Sequence, residues 1–271
     1  MLSIFFDHIR DAAKQDGRSL EEMCAYAKQV GYDGVHMNME TVNEENLVLL
    51  GRAGLQVLSI FAFEDYGDGE TVNALERARV LVRNTVSAGC RNLMIIPGFL
   101  REGILRNSPE YELTRQNMAK VLNAVMPLVR EAGLTLLLED FDGERAPFLY
   151  PEELMWFLEA VPGLRCAFDT GNFAFGDRDS GKEFDRFAPY ISDVHLKDRS
   201  FTENDGGAQV TVGGKKMYPC AVGDGEMPIR RIVSALLEQG YTGCFALEHY
   251  GSLHQTRDIE RSFRAVKEML G

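Results

Sequence analysis

The chain has few cysteines, and their arrangement excludes two kinds of cysteine site. The five cysteines are odd in number and widely spaced, and no two of them form a C-x-x-C pair. A disulfide framework and a thiolate zinc site would each need a different pattern, so we expect neither. Unpaired cysteines are typical of a reducing cytosol, and the sequence therefore favours a cytoplasmic location.

Basic residues are also scarce. Lysine and arginine together number 29, against 41 aspartates and glutamates, which gives a formal net charge of -12 and a pI near 5.0. A chain with this overall charge repels a long phosphodiester polymer. We therefore expect no nucleic-acid partner.

Long apolar runs are absent. The apolar opening MLSIFF has no basic residue before it and reaches Asp7 at once, so we interpret it as a first β-strand and not as a secretion signal or a membrane span. We expect no membrane partner. With 45% hydrophobic and 26% charged residues, the composition is that of an ordinary globular protein.

What the chain has instead is a series of short apolar runs that alternate with longer helical patterns. Eight such βα units in 271 residues favour a closed barrel over an open doubly wound sheet. We predict an α/β protein that forms a single (β/α)8 TIM barrel over residues 1–271. A capping box at 19–22 supports the phasing of the helices. The predicted strands are residues 2–6, 34–39, 55–63, 92–97, 134–139, 164–169, 191–196 and 243–248.

One connection is unlike the others. The polar, glycine-rich segment at about 198–226, between the seventh strand and the seventh helix, is far longer than the usual loop after a barrel strand. Long loops on the carboxyl face of a barrel are often lids. The alternative is a β-hairpin with no catalytic part, because VTVGGKKMY at 210–218 resembles two short strands about a turn.

Four acidic or imidazole side chains each stand at the end of an apolar run in the fifth to eighth strands. The carboxyl ends of all strands of a (β/α)8 barrel open onto one face. A single acidic residue there is more often a helix cap or a rim salt bridge, but four in succession favour a shared site. We predict one divalent metal ion, with Mn, Mg, Co and Zn all compatible. The predicted ligands are Glu139, Asp169, His195 and Glu248.

Such a site suits proton transfer on a small carbohydrate. A divalent ion that coordinates a carbonyl and a neighbouring hydroxyl lowers the pKa of the adjacent C–H group. Glu139 and Glu248 would stand on opposite faces of the substrate, where one removes a proton and the other returns it. Removal beside the metal-bound carbonyl gives an enediolate, and reprotonation gives an isomer or an epimer. We therefore predict an isomerase or epimerase of a sugar or sugar phosphate.

Five segments carry a resemblance to a known superfamily. They are LLLED at 136–140, FDTGN at 168–172, DVHLKDR at 193–199, GDGEMPI at 223–229 and ALEH at 246–249. The chain resembles the xylose isomerase-like TIM-barrel superfamily over essentially its whole length. Within that superfamily it is similar to the sugar phosphate isomerase/epimerase group, which includes ketose 3-epimerases, hydroxypyruvate isomerase and inosose dehydratase. The resemblance implies a metal held by the same four residues, proton transfer by both glutamates, and a homodimer.

Five further side chains are candidates for binding the substrate. Asn172 stands where the ketose 3-epimerases carry a substrate-binding histidine. Lys197 and Arg199 could neutralise an oxyanion or a phosphate, although a charged residue after a strand is more often solvated or ion-paired. His8 and Glu64 end the first and third strands, where loop capping is the alternative.

Phenylalanines near the strand ends are candidates for an apolar wall against a sugar ring. Packing in the core is the commoner use of this residue type and is the alternative. The four phenylalanines are Phe61, Phe63, Phe141 and Phe173.

Three other functions stay open. A metal-dependent dehydratase of the inosose dehydratase type would use the same metal and base and then expel a β-hydroxyl. An abasic-site endonuclease-like hydrolase is a remote alternative, because those enzymes hold several metals with many histidines, whereas this chain has five histidines and an acidic net charge. A barrel that keeps the metal site but only senses a sugar is the third.

Overall fold

The computed structural model describes all residues from Met1 to Gly271, and most of its strands form one closed parallel barrel. The strands are β1 (Leu2–Phe5), β2 (Gly34–Asn38), β3 (Gln56–Phe63), β4 (Asn92–Ile96), β5 (Thr135–Glu139), β6 (Arg165–Asp169), β7 (Ile191–Lys197), β8 (Arg199–Ser200), β9 (Gln209–Val210), β10 (Lys216–Pro219) and β11 (Phe245–Glu248). The order around the barrel is β1-β11-β7-β6-β5-β4-β3-β2. The prediction of a single (β/α)8 barrel is confirmed.

Nine α-helices surround the barrel. They are α1 (Phe6–Asp16), α2 (Leu20–Val30), α3 (Glu44–Ala53), α4 (Val72–Ser87), α5 (Pro109–Glu131), α6 (Pro151–Ala160), α7 (Ser180–Phe187), α8 (Ile229–Glu238) and α9 (Gln255–Leu270). The predicted capping box begins α2, because the Ser19 hydroxyl accepts from the Glu22 amide and the Glu22 carboxylate accepts from the Ser19 amide at 2.8 Å. No helix combines the length and the apolar character that a bilayer span requires.

The inside of the barrel holds a polar layer as well as apolar side chains. Ser3 of β1, His36 of β2, Ser59 of β3 and Asp193 of β7 are all buried. The Ser3 hydroxyl lies 2.8 Å from His36 Nδ1, and His36 Nε2 lies 2.8 Å from an Asp193 carboxylate oxygen. Buried polar groups are tolerated when they pair in this way. The layer lies beneath the carboxyl ends of the strands, where the predicted site residues are.

The long connection after β7 contains a small antiparallel sheet of its own. β9 and β10 pair as a hairpin with Val210 opposite Lys216, and β8 lies on the other side of β10. The tip of the hairpin is attached to the loop after β6, because the Asp177 carboxylate accepts from the Thr211 hydroxyl at 2.9 Å and from the Gly213 amide at 2.6 Å. This pairing shows the two short strands about a turn predicted at 210–218, and the role of the segment as a lid stays a prediction.

Asp198 closes the base of this connection. Its carboxylate accepts hydrogen bonds from the amides of Gly223, Gly225 and Met227 at 2.8 to 3.1 Å. The residue that directly follows β7 is thereby bonded to the residues that precede α8. This side chain thus holds the GDGEMPI segment against the end of β7, and the Glu226 amide adds a bond to the Arg199 carbonyl at 3.0 Å.

Gly34 is the position in the barrel where a side chain has least room. A Cβ atom there would lie 2.3 Å from the backbone oxygen of Gln56 on the neighbouring strand. We expect Gly34→Ala to lower the free energy of unfolding by about 2 kcal/mol or more, because β2 would have to move away from β3. Urea denaturation measures the change.

Gly51 provides the matched control. It lies on the exposed side of α3, and a Cβ atom added to it would meet no neighbouring atom within 4 Å. Gly51→Ala should raise the free energy of unfolding by up to about 1 kcal/mol, since alanine favours a helix. Equal stabilities of the two variants would contradict the packing described at β2.

Candidate metal centre

The structure brings the four predicted ligands together at the carboxyl end of the barrel. Glu139, Asp169 and Glu248 are the last residues of β5, β6 and β11, and His195 lies in β7. One ligand atom from each of the four residues lies within 4.8 Å of the others. All four side chains are buried.

The strand register explains this convergence. Asp169 stands beside His195 in the β6–β7 pair, and Glu139 and Glu248 end the strands that flank this pair. The Nδ1 atom of His195 lies 2.5 Å from a Glu139 carboxylate oxygen. One Asp169 oxygen accepts from the amides of Gly171 and Asn172 at 2.7 Å, so the carboxylate is held in one orientation.

Burial and repulsion between carboxylates act strongly on the pKa values of Asp169 and Glu139. Burial is the main cause that raises the pKa of Asp169 to about 8, and the charges of Glu248 and Glu139 add to it. The same burial, together with Glu248, holds the pKa of Glu139 well above its ordinary value. The protein alone therefore does not satisfy the negative charge that the three carboxylates carry when ionised.

A divalent cation fits this group of residues. The second oxygen of Asp169 is buried and has no hydrogen-bond partner. Three carboxylates and one imidazole form an oxygen-rich set that suits hard and borderline divalent ions. A cation would also relieve the repulsion that raises the carboxyl pKa values.

Two cations and a fourth carboxylate stand beside the ligands. The Lys197 ammonium contacts the Glu248 carboxylate and lies 3.6 Å from Asp142, and the Arg199 guanidinium donates to Asp142 at 2.7 Å. Burial by itself lowers the pKa of Lys197, but Asp142, Glu248 and Asp169 outweigh it and the pKa is raised. Both cations are buried and paired.

The buried polar layer described above adjoins the other side of the histidine. A nitrogen of His195, a nitrogen of His36 and an oxygen of Asp193 lie within 4.8 Å of one another. Burial tends to raise the pKa of Asp193, but the bonded His36 outweighs it and holds this pKa below its ordinary value. Because His195 Nδ1 faces Glu139, the negative charge of Asp193 favours a proton on Nε2 and leaves Nδ1 free to bind a metal.

A cavity of about 240 Å³ opens beside these residues. Its polar lining comes from Glu139, Asp142, Asn172, Lys197 and Glu248, and its apolar lining comes from Phe5, Phe61, Met94, Ile96, Phe141 and Tyr250. The cavity is smaller than the range of about 300–1,000 Å³ that is typical of sites for drug-sized ligands. A small molecule with one polar and one apolar side suits it.

The four phenylalanines proposed for an apolar wall separate into two groups. Phe61 and Phe141 line the cavity, and Phe63 lies half-exposed at its mouth with its ring 6.1 Å from that of Phe141. Phe173 packs in the core against Phe168 and Phe187.

The five predicted substrate-binding residues take different positions. Asn172 and Lys197 line the cavity, and the Asn172 amide oxygen accepts from the Lys197 ammonium at 2.5 Å. Arg199 lies one contact further away, on Asp142. Glu64 points to α4, where both of its oxygens accept from the Arg77 guanidinium. The His8 imidazole accepts from the His249 amide at 2.8 Å and does not line the cavity.

The sequence interpretation missed two charged residues of this region. Asp193 stands two residues before His195 on the same strand, so the period-two alternation of a strand would have placed both inside the barrel. Asp142 lies in the loop after β5, and it meets Lys197 and Arg199 only through the closure of the barrel. No local pattern identifies it.

Comparisons with known proteins agree with this architecture. The family model described as xylose isomerase-like TIM barrel matches residues 24–269. The chain belongs to this family. A search of curated proteins gives no match to this xylose isomerase-like chain.

Three solved structures are similar to this xylose isomerase-like barrel. One is D-allulose 3-epimerase from Methylomonas sp., with a TM-score of 0.74, 13% sequence identity, and coverage of 99% of this chain and 97% of that one. The second is the probable 3-DHS dehydratase AsbF from Bacillus anthracis, with a TM-score of 0.73, 14% sequence identity, and coverage of 98% of each chain. The third is a xylose isomerase-like protein from Mycobacterium smegmatis in complex with magnesium, with a TM-score of 0.65, 19% sequence identity, and coverage of 93% of this chain and 89% of that one. At these identities the likeness shows the fold alone.

The raised pKa of Asp169 generates a pH prediction for the metal-free protein. A carboxyl group whose pKa is higher in the folded than in the unfolded state stabilises the fold at low pH and loses this contribution as the pH rises. The window runs from about 4, the ordinary value, to about 8. Relative to Asp169→Asn, which cannot ionise, the wild type should lose up to about 1.4 kcal/mol per pH unit in this window.

Denaturation of both proteins in a chelator at several pH values measures this difference. Addition of excess Mn²⁺ should reduce the pH dependence of the wild type, because a bound cation favours the ionised carboxylate. Parallel stability curves for the two metal-free proteins would contradict the assignment of a raised pKa to Asp169.

The position of Asp193 generates a second prediction. We expect Asp193→Asn to weaken Co²⁺ binding by about 10–100-fold, because the imidazole of His195 loses the charge that orients its proton. Titration with Co²⁺, followed by visible absorption, measures the affinity. Asp258→Asn is the matched control, since Asp258 is equally buried but bonds to Ser252 and Arg257 in and near α9. Equal Co²⁺ affinities of the two variants would refute the orienting role.

Proposed function

We propose that this chain is a divalent-metal-dependent isomerase or epimerase of a small carbohydrate. One Mn, Mg, Co or Zn ion would be held by Glu139, Asp169, His195 and Glu248. The magnesium in the similar Mycobacterium smegmatis protein supports an ion of this kind. One observation carries the proposal: of the four residues, only Glu139 and Glu248 line the cavity. They are the two that the proposed chemistry requires to meet the substrate.

The proposed mechanism divides the work between the ion and the two glutamates. When bound, the ion supplies Lewis acidity that polarises adjacent carbonyl and hydroxyl oxygens of the substrate. One glutamate removes the proton from the carbon beside the carbonyl, which leaves an enediolate, and the other returns a proton. Burial and the charge of Glu248 raise the pKa of Glu139, which supports different protonation states for the pair.

The remaining residues would bind the substrate or shape its site. We propose Asn172 and Lys197 as direct contacts, because their side chains line the cavity. Arg199 would act through Asp142, to which it donates. Glu64 and His8 would shape the rim, since their polar atoms bond to Arg77 and to the His249 amide. We also propose a cytoplasmic location, which five unpaired cysteines favour, and a homodimer, as the resemblance implies.

Isotope exchange tests the function directly. In D₂O with Mn²⁺, the wild type should exchange the hydrogen on the carbon beside the carbonyl of at least one ketose, as detected by NMR or mass spectrometry. Glu139→Gln and Glu248→Gln should each slow the exchange by about 10²–10⁴-fold, the usual contribution of a general acid or base. Glu152→Gln is the control, since Glu152 is exposed and only faces Arg178.

Metal content must be measured on each variant, so that loss of the ion is not mistaken for loss of proton transfer. Wild-type exchange rates in both glutamine variants would rule out the acid/base assignment. Absence of exchange on every ketose, in protein shown to hold Mn²⁺, would reject the proposed function.

A dehydratase is the second candidate, and one contact favours it. The Lys197 ammonium lies against Glu248 at the cavity wall, where it could protonate a departing hydroxyl after Glu139 or Glu248 has removed the neighbouring proton. The similarity to AsbF, a probable dehydratase, supports the same reaction class. Loss of one water by mass spectrometry, with ultraviolet absorption of an unsaturated carbonyl product, distinguishes this reaction from epimerisation.

A further inference from the structure

The charges at the cavity constrain the substrate more narrowly than its reaction class does. Four carboxylates surround this end of the cavity: Glu139, Asp169, Glu248 and Asp142. Only two cations, Lys197 and Arg199, stand among them. The carboxylates outnumber the cations, and the buried Asp140 beside the Asp169 amide adds a further carboxyl group.

Neither cation is free to receive an anionic substrate. Lys197 lies between Glu248 and Asp142, and its ammonium also donates to the Asn172 amide oxygen. Arg199 donates to Asp142. Of all the lysines and arginines, Lys197 alone lines the cavity. Binding of a phosphate or carboxylate by these cations would take from the largely enclosed Asp142 carboxylate the two cations that pair with it, which is unfavourable.

The backbone position that often binds phosphate in this fold is also filled. In (β/α)8 barrels a phosphate frequently binds to the loops after the last two strands and to the start of a following helix. Here the amides of Gly223, Gly225 and Met227, just before α8, donate to the carboxylate of Asp198. An internal carboxylate thus takes the hydrogen bonds that a phosphate would need.

The apolar side of the cavity offers no alternative position for an anion. Phe61, Met94, Ile96 and Phe141 provide no hydrogen-bond donors, and they form much of the wall. Transfer of a charged group from water to such a surface is costly. The same wall suits the carbon-bearing face of an uncharged sugar or cyclic polyol.

We infer that the substrate is an uncharged polyol carbonyl compound and not a sugar phosphate or a sugar acid. This inference rests on the proposed function for the role of the metal, but its charge argument depends only on the paired side chains. Mn²⁺-loaded wild type should therefore exchange a free ketose at least 100-fold more efficiently, in kcat/KM, than the terminal phosphate ester of the same ketose. A faster reaction of the phosphate ester would overturn the inference.

A charge variant tests the inference without turnover. Asp142→Asn frees Lys197 and Arg199 from their shared partner, so the Mn²⁺-loaded variant should bind inorganic phosphate at least tenfold more tightly than the wild type by isothermal titration calorimetry. Asp65→Asn is the matched control: it removes the same charge from the loop after β3, where Asp65 accepts only from the Gly67 amide. Its phosphate affinity should equal that of the wild type.

The exchange assay and the phosphate titration distinguish failure of the proposed function from failure of the charge inference. If no sugar exchanges but Asp142→Asn alone gains phosphate affinity, the proposed function fails and the pairing of Lys197 and Arg199 with Asp142 stands. If Asp142→Asn gains no more than Asp65→Asn, or if the wild type already binds phosphate as tightly as the variant, the cations are not neutralised by Asp142 and the inference is wrong.

Discussion

Repulsion among buried carboxylates is the constraint on which this end of the barrel depends. Glu139, Asp169 and Glu248 approach one another at the ends of strands that cannot separate without opening the sheet. The surroundings respond to that repulsion. Lys197 approaches from β7, and the backbone after β6 turns two amides towards Asp169. These contacts leave the excess charge only partly compensated, which is why a divalent cation is the natural complement of the group.

The cavity beside this group is divided between the two halves of the barrel. The half formed by β5, β6, β7, β11 and the loops after them carries the charged and amide groups together with Phe141 and Tyr250, whereas β1, β3 and β4 contribute only aromatic and aliphatic side chains. Such a division would orient the proposed polyol substrate with its reacting oxygens towards the charged half. Epimerisation and dehydration begin with the same proton removal. It is therefore consistent that structures named for either reaction share this fold.

The barrel could be predicted from the sequence because parallel strands that are covered on both faces have nearly continuous apolar sequences. All eight predicted strands exist, with ends within about two residues of those observed. The four candidate ligands could be recognised because each directly ends, or nearly ends, such a run. The hydrogen bonds and ion pairs between residues at the carboxyl end of the barrel could not be predicted from the sequence. Glu64 bonds to Arg77 in the next helix, His8 to the backbone of His249, and Lys197 to a loop carboxylate far away in the chain. These partners depend on barrel closure, which leaves no local pattern.

Asp198 makes the connection after β7 tolerant of changes in length and composition. One carboxylate joins the start of this segment to its end, so the segment forms a closed ring, and Asp177 holds the tip of its hairpin separately. Lengthening a ring that is already closed adds little conformational entropy cost. Hairpins of different length and composition could thus be exchanged above the cavity while the strands below stay in register. A change of that kind would alter which molecules enter without rebuilding the chemistry beneath them.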